Sequence, residues 1–222
     1  MPYVKRIVCL ANSYKPPNGR CVAGREILDD AYGGWVRPVN GASTGEVPQP
    51  LCAHLNLLDI VDIHLSSHAP QGHQTENHIF DPQHQWTKRG KLAFGDLKKL
   101  CEQPTTLWVN SDKTALGTFD CISRSEAASL NTSLLLIRQA RFTLHIGPHP
   151  FDANKNKKSY RGIFNYNGTP YNLSVTDPVA RAKPDGYLTL SDVYLCTSLT
   201  EPYQKDGRCH KLVAAIFCEQ AI

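Results

Sequence analysis

Short apolar runs, each cut off by a turn signal after about eight to twelve residues, constrain this chain more than any other feature, because that rhythm belongs to small sandwiches and barrels. Tyr3–Ala11 is β-branched and apolar and opens the series as a strand. Pro16-Pro17-Asn18-Gly19 ends it, with a fixed φ followed by residues tolerant of positive φ. Cys21–Ile27 and Trp35-Val36-Arg37-Pro38-Val39 follow as strands, with Tyr32-Gly33-Gly34 turning between them. Asn40–Pro50 is a Gly/Pro/Ser/Thr-rich loop. In Leu55–Leu65, Val61, Ile63 and Leu65 alternate with Asp62 and His64, the period of two of a half-buried strand. Phe94–Glu102 reads as a short helix and Thr105–Asn110 as a further strand.

The pattern then starts again. Ser123–Asn131 carries the signature of a capped helix and marks the boundary. Leu134–Ile146 is apolar and then alternating. Ser159–Tyr166 and Thr169–Val175 flank Asn167-Gly168, the strongest short-range hairpin signal. Asp177-Pro178 places a cap and a first-turn proline at the start of a helix. Val193–Ser198 and Lys211–Cys218 close the series, joined by a turn at Gly207. The expected fold is mostly β: two tandem OB-like small barrels with short helices, since about five strands and a helix in about 100 residues suit that barrel. The first spans 1–121, a helical connector 122–133, and the second 134–222.

With 222 residues, 41% apolar and 20% charged, the chain can bury real cores without staples. Its net charge of +4 permits an anionic partner without demanding one. The eight cysteines form no C-x-x-C pair, Met1–Arg6 does not read as a signal peptide, and no apolar run approaches a membrane span of about 20 residues. A cytoplasmic protein with free thiols, no cofactor and no membrane association is the expectation. Histidines at 54, 64, 68, 73, 78 and 84 are dense, but their spacings fit no zinc module, so no metal site is expected.

Several segments together carry a family resemblance. Lys5–Ser13, Gly19–Gly24, Gly34–Val39, Gln74-x-Glu76-Asn77, Tyr171–Pro178, Cys196–Pro202 and Lys211–Ile216 resemble a bacterial family of dual OB-fold proteins. The resemblance covers nearly the whole chain. It implies two adjacent OB-like domains and recognition of nucleic acid or nucleotides, with defence against mobile elements as a setting. It transfers no catalytic residue.

The candidate site residues come from the chain itself. Gln74, Glu76 and Asn77 sit in the polar segment His73–His78, after a core strand. Such amides and carboxylates can read a base edge, with Trp86 or Trp35 as an aromatic wall. They can equally lock a loop by capping its backbone. Arg37, inside an apolar strand, must meet a ligand anion or an internal partner such as Glu76 or Asp62. Arg20 precedes Cys21, which reads more simply as a strand residue than as a nucleophile. Arg138, Arg141, Lys155, Lys157, Lys158 and Arg161 are interleaved with Phe142, Phe151, Tyr160, Phe164, Tyr166 and Tyr171, the composition of a single-strand platform or of a solvated basic loop over core aromatics. Tyr160, Arg161, Tyr171, Asp177 and Lys211 complete the ligand-binding set. The expected function is a non-catalytic module for nucleic acid or a nucleotide-like ligand. The alternatives are an enzyme acting on nucleotides or modified bases with Glu76 or Asp177 as general base, and a protein-binding adaptor using an exposed strand edge.

Overall fold

Five strands of the first half each find two neighbours because their sheet closes on itself. The computed structural model describes residues 1–15, 19–29, 31–41, 45–152 and 156–219. The expected turn at Pro16–Asn18, part of the Asn40–Pro50 loop and Lys155 lie outside the described residues. The chain opens with strands β1 (Tyr3–Lys15), β2 (Gly19–Leu28) and β3 (Ala31–Val39), followed by β4 (Val47–Pro48), helix α1 (Gln49–Cys52), β5 (Asp59–His68), β6 (Asn77–Phe80) and β7 (Thr87–Lys91). β1 pairs with β2, β2 with β3, β6 with β5 and β5 back with β1, all antiparallel; β3 and β6 run parallel. That ring has a single parallel seam. β4 adds to β2 and β7 to β5. Ile7, Cys9, Val22, Val36, Val61, Ile63, Leu65, Phe80 and Trp86 fill the interior.

The second half repeats the ring. A 3-10 turn (Phe94–Lys99), β8 (Cys121–Ile122) and α2 (Arg124–Ala128) precede β9 (Leu134–Pro148), β10 (Lys158–Tyr166), β11 (Thr169–Val175), α3 (Pro178–Arg181), β12 (Gly186–Leu199) and β13 (Cys209–Phe217). β9 pairs with β10, β10 with β11, β13 with β12 and β12 with β9, antiparallel; β11 and β13 form the parallel seam, Val175 opposite Val213. Asn167 and Gly168 turn β10 into β11 with φ of 50° and 81°, the two positive values that a tight hairpin matching strand twist needs. Phe142, Leu144, Phe164, Tyr171, Leu173, Leu195 and Val213 form the core.

Two corrections have local causes. Tyr32–Gly34 is strand, and the reversal falls just before it, with Leu28 opposite Ala31. Thr105–Asn110 is irregular: Trp108 has a φ of 56°, outside the range of regular strand backbone, and the Leu107 amide donates to the Tyr171 hydroxyl at 3.0 Å rather than to a ladder. Contacts group Met1–Leu100 with Asn131–Ser133, and Cys101–Leu130 with Leu134–Ile222. Residues 101–122 are tied to the second barrel. Glu102 exchanges hydrogen bonds with Leu136, Thr118 bridges to Asn172, and β8 pairs with β13. Among the described residues no helix is long and apolar enough to cross a membrane.

Candidate functional site

In the first barrel the parallel seam sets Arg37 on β3 beside Asn77 on β6, and the Arg37 amide donates to the Glu76 carbonyl at 2.8 Å. This register throws the Arg37 and Glu76 side chains together. The Arg37 guanidinium lies 3.2 Å from Glu76 Oε1 and donates to Ser133 Oγ at 2.9 Å, and Ser133 in turn donates to Glu76. Asn77 donates to Gln74 Oε1 at 3.2 Å. Arg37, Gln74, Glu76 and Asn77 are all at most 5% exposed and form a buried network. Glu76 Oε2 and Asn77 Oδ1 have no hydrogen-bond partner among the described residues. Trp86 is 4% exposed, inside the barrel core and edge-on to Phe80, where it cannot wall a base. Arg20 is half-buried at the start of β2.

His64, His68, His78 and His84 of this barrel pair with one another and with phenol and carboxylate. Tyr3 Oη is 2.6 Å from His78 Nδ1, the His68 ring lies 4.7 Å from that of His78, and His64 stacks on His84 at 4.3 Å. Burial, helped by His68 and Lys5, pushes the His78 pKa down to about 4. Asp62 is held below the usual carboxylate range by its bond to Arg6, with Arg89 on its other oxygen.

In the second barrel the five nominated residues are scattered through the structure's own supports. Arg161 is 7% exposed; it donates to Asn172 Oδ1 at 2.9 Å and Ser174 Oγ at 2.7 Å and sits 3.2 Å from Asp120. Burial lowers its pKa and Asp120 opposes that shift. Lys211 is 1% exposed, its ammonium 2.6 Å from the Val109 carbonyl and 2.9 Å from Asn110 Oδ1, and desolvation brings its pKa down to about 8. Tyr171 lies in the core and bonds Asn110. Asp177 caps α3 through the Val179 and Ala180 amides and accepts from Ile216, while burial raises its pKa against those bonds. Tyr160 is half-buried under the Arg181 guanidinium, which lies 4.4 Å from the ring centroid.

What this barrel leaves open is the outer wall of β9, β10 and β11. A cleft of about 630 Å³ there is lined by Arg138, Arg141 and Thr143 of β9, Ile163 and Asn165 of β10, and the Asn167–Pro170 turn. Arg138, Arg141, Ile163, Asn165, Asn167 and Pro170 are exposed. The register explains the set: Ile163 stands opposite Thr143 on one side and Asn172 on the other, so one face carries cations, amides and an aliphatic floor. Arg138 pairs loosely with Asp192 at 3.1 Å, both side chains more than half exposed. Sequence reasoning singled out Arg138 and Arg141 only as part of a basic stretch. The alternation in Leu134–Ile146 held the signal, but the exposed Ala140-Arg141 pair breaks its phase.

Two closed five-strand rings, each with one parallel seam and a short helix before its fourth strand, define a double OB-type β-barrel protein. The chain matches the dual OB-containing domain over residues 5–216 and belongs to that family. No curated protein and no solved structure shows a significant match to it.

Proposed function

We propose that the chain is a non-catalytic module that binds nucleic acid or a nucleotide-like ligand on the β9–β10–β11 wall of its second barrel. One observation carries this reading: the exposed cleft there combines two arginines with amides and an aliphatic floor. Cations hold phosphate and fix a strand's position, while flat apolar and amide surfaces take bases. OB barrels use their second and third strands for this purpose, and β10 and β11 hold those places here. The buried Arg37–Glu76–Ser133 network is a support of the first barrel in this reading, not a ligand contact. A sensor in bacterial defence is the setting that the family resemblance adds, and the eight free cysteines accord with a reducing cytoplasm.

The test is fluorescence anisotropy with a labelled oligothymidylate of about twelve nucleotides. Binding weakens steeply between about 50 and 200 mM salt, and the double variant R138E/R141E binds at least about tenfold more weakly. For every phosphate the variant no longer neutralises, the salt slope becomes shallower by about 0.7. Equal affinity in parent and variant would sink the reading.

A further inference from the structure

Beside the cleft, and separate from it, β9 and β12 display a ring pair with no structural duty in the core. Tyr187 is 73% exposed and stacks on the half-buried His145 ring, centroids 4.3 Å apart and planes 14° from parallel. An exposed tyrosine held flat by a second ring is costly to leave in water, and its outer face is free for a further planar group. The register places the pair next to the cleft. Tyr187 opposes His145, Thr189 opposes Thr143, and Thr143 in turn opposes Ile163. Thr143 lines the cleft and its hydroxyl is 3.1 Å from that of Thr189. Tyr187, Thr189 and Ser191 therefore form one outward column, His145, Thr143 and Arg141 the next, and Ile163 and Asn165 the third.

We propose that this strip is one binding surface for single-stranded nucleic acid, with Tyr187, backed by His145, as the base-stacking platform and Arg141 and Arg138 as phosphate contacts. The inference rests on the function proposed above and adds the ligand class and a residue. Spacing argues for an extended strand. Neighbouring strands are about 5 Å apart and same-face residues about 7 Å, which sets Tyr187 and Ile163 on the order of 12 Å from each other. Bases stacked in a duplex rise only about 3.4 Å per step, so a duplex cannot lay single bases on both. An unstacked strand can, crossing the Thr143–Thr189 floor between them. The strip's cations suit an anion, and the neighbouring carboxylates Asp192 and Asp185 are already paired with Arg138 and Lys158.

The experiment compares the labelled oligothymidylate with a hairpin duplex of equal charge, using parent, Tyr187→Ala, Tyr187→Phe and R138E/R141E, each checked for an unchanged thermal melt. Tyr187→Ala is expected to weaken single-strand binding about tenfold, the loss of one base stack, with duplex binding unchanged and Tyr187→Phe within about twofold of parent. If Tyr187→Ala keeps parental affinity while R138E/R141E loses it, the platform is refuted and the cleft stands. An equal loss for single strand and duplex also refutes it. If the oligonucleotide binds no protein at all, both the platform and the function it rests on fall.

Discussion

In the first barrel Glu76 gives one oxygen to Arg37 and Ser133 and leaves the other without a hydrogen-bond partner among the described residues, whereas in the second Asp120 uses both. Asp120 Oδ1 accepts from the Thr114 amide at 2.7 Å, and Oδ2 accepts from the Thr114 hydroxyl at 2.7 Å and faces Arg161 at 3.2 Å. The same ring of strands thus buries an arginine twice, by different means. A buried ion pair is favourable only when further hydrogen bonds satisfy what water supplied before. The second barrel meets that condition through Asn172, Ser174 and Thr114. The first meets it in part, through Ser133. The contrast extends to the nominated residues: the first barrel buries Gln74 and Asn77, and the second displays arginines and amides on an open wall.

The largest expected effect separates the barrels at two tightly enclosed glycines in matching strands. Gly24 on β2 and Gly162 on β10 occupy second strands of the two rings. A Cβ on Gly24 would lie 2.0 Å from the Val8 carbonyl oxygen, and one on Gly162 would lie 2.7 Å from the Phe142 ring. Main chain cannot step aside as a ring edge can. Gly24→Ala should cost about 3 kcal/mol or more and Gly162→Ala about 1–2 kcal/mol, read by urea unfolding. The reverse order would mean that β1 yields more easily than the Phe142 core.

The carboxylates give the next effect. Asp120→Asn removes a charge that three donors need, and should cost about 3 kcal/mol. Glu76→Gln leaves Arg37 with a neutral partner but disturbs a carboxylate that uses only one of its oxygens, and should cost about 1–2 kcal/mol. Chemical unfolding of both variants ranks them. A larger loss for Glu76→Gln would show that the first network is the more tightly satisfied one.

Much of this architecture was legible from alternation and turn chemistry. β1, β10, β11 and α3 lie close to where apolar periodicity, Asn167-Gly168 and Asp177-Pro178 put them, because each has a local cause. β6 was not legible. Its polar residues Asn77 and His78 look like loop, and their partners Gln74 and Tyr3 make them tolerable in a buried strand. The pairing of Arg37 with Glu76 was one of two partners that composition allowed, and nothing local distinguishes it from Asp62, which Arg6 and Arg89 occupy instead. The same gap affects the site. Arg161, Lys211 and Tyr171 have the chemistry of ligand contacts, yet residues 109–120 reach them first, a long-range contact with no sequence signature. Tyr187 escaped notice because a single exposed tyrosine in a strand has no pattern of its own; its partner His145 is defined by register alone.

The pH dependence assigns the two ends of the pH scale to different barrels. His78 in the fold has a pKa of about 4, below its ordinary 6.5, because burial disfavours the imidazolium. As pH falls below about 6.5 the unfolded chain takes up the proton first, so stability present above that value is lost progressively toward pH 4. Lys211 in the fold has a pKa of about 8, below its ordinary 10.5. Between those values the unfolded chain again holds more protons, so stability rises with pH there; below about pH 8 both states are charged and the cost of burying the ammonium is constant. Each limb should amount to about 2 kcal/mol. Urea unfolding from about pH 4 to about pH 10.5 should show His78→Gln flattening only the acid limb and Lys211→Met only the alkaline one. If His78→Gln leaves the acid limb intact, acid lability belongs instead to the ion pairs shared by Asp62, Arg6 and Arg89, whose carboxylate loses its stabilising charge as pH falls toward its lowered pKa.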